Sequence, residues 1–204
     1  MKVAALYDVH AMPWALEAVL AEVDADGLVF GGDFLGGPCP AETHALVRSV
    51  DAICIRGNAE EDDPWGKTLP LSVELDGVTY CHATPTDNTP ITTVFTPDDD
   101  LVASFGESGT FVIGHTHHQF DRRVGALRVI NAGSIGMAYE GEVAAFWTLV
   151  EDGEPRFMRT PFDIERAIAG IRASGWEPGE EFIAENLLVA VTREEAIEAF
   201  EARR

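Results

Sequence analysis

The feature that most constrains this chain is a repeated arrangement, a short apolar and β-rich run that stops abruptly at a polar cluster. Runs at Val3–Tyr7, Leu28–Phe30, Ala52–Ile55, Val78–Cys81 and Phe111–Ile113 are followed by Asp8-Val9-His10, Gly31-Gly32-Asp33-Phe34-Leu35-Gly36-Gly37, Arg56-Gly57-Asn58-Ala59-Glu60, His82 and Gly114-His115-Thr116-His117. Short apolar runs bounded in this way read as buried strands, so the pattern predicts sheets whose ends carry the chemistry. Between the first three runs, Pro13–Val23 and Ala41–Val50 have helical spacing, and Pro13 suits a first-turn position. Strand, helix, strand, helix, strand predicts a right-handed parallel βαβ core.

From Leu71 the pattern changes. Leu71–Leu75 and Val78–Cys81 flank Asp76-Gly77, a hairpin-turn pair. Later runs at Gln119–Val124, Leu127–Ile130, Val143–Leu149 and Arg156–Arg159 extend the strand count. The second half is expected to be rich in antiparallel sheet, and the fold to be α/β with two sheets. Pro85, Pro90 and Pro97 among Thr, Asp and Asn predict a loop over Thr84–Pro97. Helical patterns at Ile164–Ala173 and Glu194–Ala202, around the breaker Gly175-Trp176-Glu177-Pro178-Gly179, predict a helical appendage. A core over residues 1–161 and an appendage over 162–204 would form one domain, as 204 residues allow.

Charge narrows the ligands. Against 14 Lys and Arg stand 35 Asp and Glu, a net charge of −21, and lysine occurs only at Lys2 and Lys67. Affinity for nucleic-acid polymers depends on basic groups displacing counterions, so such a polymer is disfavoured as substrate. No apolar run approaches the ~20 residues of a membrane-spanning helix, and no membrane partner is expected. Cys39, Cys54 and Cys81 lack metal-type spacing and are odd in number, which predicts free thiols and a cytoplasmic protein.

Strand alternation sends Asp8 and His10 to one side, with Val9 between them turned away. Glycines around Asp33 permit close backbone approach, and the amide oxygen of Asn58 is a neutral hard-oxygen donor. Each cluster alone also has a plain structural reading: a loop hydrogen bonder, a capping Asp, a strand terminator. His115 and His117, one residue apart at a strand end, have the placement of ligands, whereas His44 and His118 read as structural or surface residues.

Taken in order, D-x-H, G-D-x-x-x-G, G-N, H and G-H-x-H resemble the calcineurin-like metallophosphoesterase superfamily, and within it the small single-domain phosphodiesterases of bacteria and archaea. The resemblance spans roughly Met1 to Pro161, and Asn131-Ala132-Gly133-Ser134 looks like the segment that closes such a core. It implies two mixed β-sheets packed as a sandwich flanked by helices. It also implies that Asp8, His10 and His117 hold one metal and that Asn58, His82 and His115 hold another. Asp33 would bridge the two, with Asp33, Asn58 and His82 at the catalytic centre. Mixed nitrogen and oxygen donors suit manganese, the expected ion, or iron, nickel, cobalt or zinc better than magnesium or calcium. The activity implied is hydrolysis of a small phosphate diester, a nucleotide or glycerophospho-compound, by a hydroxide bridging two divalent ions.

Two other readings share the resemblance: a phosphomonoesterase, and an interaction module like the retromer scaffold subunit, whose metal site is degraded. All seven ligand positions here keep coordinating side chains, and a homo-oligomer is compatible with the sequence. The chain departs from the family pattern at Ala59, where many members carry a histidine able to protonate the leaving oxygen, a contribution worth roughly 10²–10⁴-fold. Ala11-Met12 replaces the common Gly-Asn. Glu60 reads either as a residue behind the ligands or as part of a solvated Glu60–Asp63 turn. Arg56, Arg122 and Arg123 read either as phosphate contacts or as surface arginines, and Asp87 would repel anionic substrates if it faced the pocket.

Overall fold

The structure, a computed structural model, describes residues 1–204. Strand β1 (Lys2–Leu6) lies at the centre of a five-stranded sheet of order β10-β9-β1-β2-β3. It pairs in parallel with β2 (Gly27–Phe30), which pairs in parallel with β3 (Ile53–Cys54). Helix α1 (Pro13–Glu22) links β1 to β2, and α2 (Pro40–Ser49) links β2 to β3. Both helices start on proline, whose missing N–H costs nothing in a first turn. On the far side of β1, β9 (Ala145–Glu151) and β10 (Glu154–Thr160) complete the sheet antiparallel.

The second sheet runs β4-β5-β6-β8-β7. Strands β4 (Ser72–Leu75) and β5 (Val78–Cys81) form the expected hairpin, with Asp76 and Gly77 both at positive φ. Antiparallel pairing is plentiful after Leu71, as expected, in the β4–β5 hairpin and in β9 and β10, but the second sheet also holds parallel pairs. Strand β6 (Ser108–Ile113) pairs in parallel with both β5 and β8 (Ala126–Asn131), and only the edge strands β4 and β7 (Phe120–Val124) run antiparallel. A helix absent from the sequence reading, α3 (Asp98–Phe105), supplies the crossover that β5-to-β6 parallel pairing requires.

Alternation along β1 fixes the layers. Val3, Ala5 and Tyr7 face the second sheet and pack with Val78, Tyr80, Val112, Ile130 and Ala132, forming the core between the sheets. Ala4 and Leu6 face the other way, into a core shared with α1 and with α4 (Ile164–Ser174) and α5 (Gly179–Asn186), through Ala167, Ile171, Phe182 and Ile183. Leu101 and Phe105 of α3 cover the outer face of the second sheet. Helix α5 was not foreseen either; α6 (Arg193–Glu201) follows it and opens on a Thr192–Glu195 capping box. The three cysteines are free, and no helix is long and apolar enough to cross a membrane.

Candidate metal centre

Strands β1, β2, β3, β5 and β6 end on one rim of the sandwich, and the seven expected donors come from the loops that follow them. Asp8, His10 and His117 form one group. Asp33, His82 and His115 form a second, and within each group the donor atoms lie within 4.8 Å of one another. Asn58 joins the second group, its Oδ1 lying 3.1 Å from His82 Nε2. Asp33 Oδ2 lies between the groups, 3.9 Å from His10 Nε2 and 3.6 Å from His82 Nε2. Asp8 Oδ1 is placed similarly, 3.3 Å from His117 Nε2 and 4.0 Å from His82 Nε2.

Each imidazole is oriented by a backbone carbonyl. His10 Nδ1 lies 3.0 Å from the Gly36 carbonyl, His82 Nδ1 2.9 Å from that of Gly31, and His117 Nδ1 2.9 Å from that of Met137. His115 is turned the other way, with Nε2 3.1 Å from the Thr89 carbonyl, which leaves Nδ1 as its free donor. A carbonyl only accepts, so the nitrogen facing it carries the proton and the other presents a lone pair. Such carbonyls have no sequence signature, and sequence reasoning missed them all.

That tautomer assignment tests whether the residues fit a cation. His10 Nε2 and His117 Nε2 face each other at 3.0 Å as two lone pairs, and His82 Nε2 faces the oxygen of Asn58 in the same way. Asp8 Oδ1 is buried without any hydrogen-bond partner. Acceptors converging on acceptors are unfavourable without positive charge among them, and divalent cations with nitrogen and oxygen preference match this donor set.

The charges at His10 and His115 point the same way, whereas Asp8 and His82 show that, with no cation present, a proton on an imidazole would have to offset the carboxylates. Burial, then the neighbouring His117, holds the His10 imidazole below its ordinary value. Burial and His82 push His115 down to about 4. Burial would raise the Asp8 carboxyl, but His117, His82 and His10 outweigh it and hold it well below the usual carboxylate range. Burial likewise opposes protonation of His82, yet the Asp33 and Asp8 carboxylates prevail and raise it.

Backbone geometry is unusual here. Asp8, His10, Ala11, Asp33, His115 and His117 all have φ between 48° and 65°. Left-handed backbone at non-glycine residues costs energy and collects at functional sites. Glycine is required where the backbone presses on the carboxylates: a Cβ on Gly57 would lie 2.2 Å from Asp33 Oδ1, and one on Gly114 2.3 Å from Asp8 Oδ2. Backbone N–H groups complete the hold, from His115 to Asp8 Oδ2 at 2.9 Å and from Ala59 to Asp33 Oδ1 at 2.7 Å. Asn131 donates to the Gly114 carbonyl and Ser134 to the Asp8 carbonyl, so the closing segment braces both strand ends.

Glu60 is no part of a solvated turn. It is buried, and its carboxylate accepts from the backbone N–H groups of Asp33, Phe34, Leu35 and Gly57 at 2.7–3.0 Å. It ties the loop after β2 to the loop after β3. Burial and the Asp33 carboxylate push its carboxyl up to about 7, against the pull of those donors.

Of the three arginines that read either as phosphate contacts or as surface residues, two are engaged elsewhere. Arg122 donates to the carbonyls of Val94 and Thr96 and pairs with Asp98, fastening the Thr84–Pro97 loop, and Arg123 pairs with Glu154. Arg56 Nε is buried without a partner. Asp87 accepts from Thr89 in an exposed turn. His44 packs edge-on against Trp65, and His118 Nδ1 lies 2.8 Å from the Thr116 carbonyl; neither joins the donor groups.

The sequence model of the calcineurin-like phosphoesterase superfamily domain matches residues 1–152. No curated protein sequence matches the chain. Among solved structures, a metallophosphoesterase from Sphaerobacter thermophilus superposes with a TM-score of 0.77 at 23% identity, covering 94% of this chain and 100% of that one. YfcE, a phosphoesterase from E. coli, gives 0.54 at 22% identity, covering 80% and 100%. Vps29 from Entamoeba histolytica, solved with Zn²⁺, gives 0.50 at 18% identity, also covering 80% and 100%. These likenesses show the fold.

Proposed function

The chain belongs to the calcineurin-like phosphoesterase superfamily, and from that premise we propose that it hydrolyses a small phosphate diester at a centre holding two divalent transition-metal ions. The observation that carries this reading is the pair of facing donor groups, Asp8–His10–His117 and Asp33–His82–His115, with Asp33 between them and Asn58 beside His82. When bound, two such ions polarise phosphoryl oxygens, lower the pKa of a water and steady the departing oxygen. The donor chemistry suits manganese, with iron, nickel, cobalt or zinc as substitutes.

The chain's own residues have distinct tasks. Backbone carbonyls fix the four imidazoles, and the depressed basicity of His10 and His115 keeps their lone pairs free at neutral pH. Asp8 and Asp33 contribute only two negative charges, so two divalent ions would leave net attraction for a phosphate in a protein of charge −21. That net charge still disfavours polymeric nucleic acid. Ala59 has no proton to give, and Glu60 is spent on backbone donors. The leaving oxygen therefore departs without a side-chain acid at these positions, which favours esters of acidic alcohols.

The experiment is a manganese-loaded preparation, its metal content measured, assayed with bis-p-nitrophenyl phosphate and p-nitrophenyl phosphate. About two ions per chain and faster turnover of the diester are expected. Faster turnover of the monoester would replace the diester reading with a monoesterase. A chain that takes up no metal and hydrolyses neither would favour the scaffold reading that the Vps29 likeness raises; the complete donor set supports the enzyme.

A further inference from the structure

Beside the donor groups lies a cavity of about 240 Å³ between the Met137–Tyr139 segment and helices α5 and α6. Its walls are Met137, Tyr139, Val191, Ala196, Ala199 and Phe200, interrupted by Glu185, Asn186, Glu195 and Arg203. Two contacts tie it to the centre. The Tyr139 ring stacks on His117 at 5.0 Å and 25°, and the Met137 carbonyl orients His117 Nδ1. Phe200 stands across from Tyr139, with 6.3 Å between ring centroids.

The cavity is built, not incidental. The segment after β8 is fastened to the α5–α6 connection by a hydrogen bond from Gly141 N to the Val191 carbonyl at 2.9 Å and by the Arg193–Glu140 ion pair. Those ties fix α6 relative to His117.

We propose that this cavity is the subsite for the alcohol that stays on the phosphate, and that it takes a planar aromatic ring system with both N–H donors and acceptor nitrogens at its edge, of the purine type. Size sets the first condition: the volume equals roughly eight water molecules at ~30 Å³ each, enough for one ring system. Shape sets the second, since Tyr139, one face on His117 and tilted 45° to Phe200, forms with it an aromatic corner against which one flat ring can pack. The polar groups set the third. Asn186 spends an Nδ2 hydrogen on the Phe182 carbonyl and keeps its amide oxygen as an acceptor, Glu185 enters no ion pair, and the Arg203 guanidinium supplies donors, a mixed set for a ring edge that carries both N–H groups and acceptor nitrogens. An alkyl group would leave these polar groups unmatched, and glycerol would leave the aromatic side chains uncovered. The successive ring spacings from His117 to Tyr139 and on to Phe200 suit the reach from a phosphate to a base across one sugar.

The inference rests on the phosphoesterase reading for the phosphate end alone, and its test separates the two. Adenosine, which has no phosphate, is titrated calorimetrically into wild type, Ala199→Trp, Phe200→Ala and Asp33→Asn. Saturable binding is expected to wild type and to Asp33→Asn, weakened at least about tenfold by Ala199→Trp, which fills the cavity from an exposed helix position. In parallel, kcat/KM for a nucleoside p-nitrophenyl phosphate relative to methyl p-nitrophenyl phosphate should fall about tenfold in Ala199→Trp, through KM. Absence of adenosine binding to wild type, or binding indifferent to both pocket variants, would overturn the subsite. So would an equal loss on both esters. A protein that binds adenosine yet hydrolyses nothing would keep the subsite and sink the phosphoesterase.

Discussion

The loops after β1, β2 and β3 bring to the centre both carboxylates, the amide and one imidazole, whereas those after β5 and β6 bring three imidazoles. Their anchoring differs accordingly. Asp8 and Asp33 are held by backbone N–H groups, and His10, His82, His115 and His117 by backbone carbonyls. Some anchors cross between the sheets: Asp8 of the first takes its N–H from His115 of the second, and His82 of the second finds its carbonyl at Gly31 of the first. Asp33 depends on its own sheet instead, through Ala59 and the Glu60 clamp. The site is thus a joint between two sheets, and neither assembles its donors without the other.

The comparison breaks most visibly at Asp33, the carboxylate between both groups. Asp33→Asn should lower the affinity for both ions by more than the roughly 10–100-fold typical of an outer partner, with circular dichroism unchanged. A variant that still binds two ions normally would remove Asp33 from that position. A smaller effect is expected at Glu60. Glu60→Gln puts an NH2 group where backbone N–H donors converge, costing about 1–3 kcal/mol in thermal stability and roughly 10–100-fold in metal affinity, with the loss falling first on the Asp33–His82–His115 group. Unchanged melting and unchanged titration would show that the clamp does not position Asp33. The smallest effect should come from Arg122→Ala, which frees the Thr84–Pro97 loop whose Thr89 carbonyl orients His115. A fall in metal affinity of about tenfold or less is expected, near one ordinary hydrogen bond, and a larger fall would mean the second sheet's imidazoles rely on that loop far more than on their strands.

The convergence of the candidate donors was legible because each stands where an apolar run stops, and strand ends can be read from local sequence. Asp76-Gly77 was legible for the same reason, as a turn written in two residues. What was hidden depends on distant partners. Helix α3 is only eight residues, buries only Leu101 and Phe105, and begins on three aspartates after a proline, so its periodicity is too short to register. Helix α5 starts on the glycine that reads as a breaker. The parallel pairing of β6 with β5 and β8, and the return of β9 and β10 to the first sheet, are decided by packing across the sandwich. Arg122 and Arg123 look alike in sequence as candidate anion contacts; only the fold shows their carbonyl and carboxylate partners. Tyr139 had no motif to announce it.

The left-handed backbone at five of the donors also limits how such a centre can drift. Asp8, His10, Asp33, His115 and His117 occupy a region that β-branched side chains avoid and that Asn, Asp and Gly tolerate. Substitution by Val, Ile or Thr would therefore damage the fold as well as the chemistry, whereas Asn or Gly would remove coordination and leave the chain path intact. A descendant that abandoned hydrolysis while keeping its shape would carry its history at these positions as asparagine and glycine.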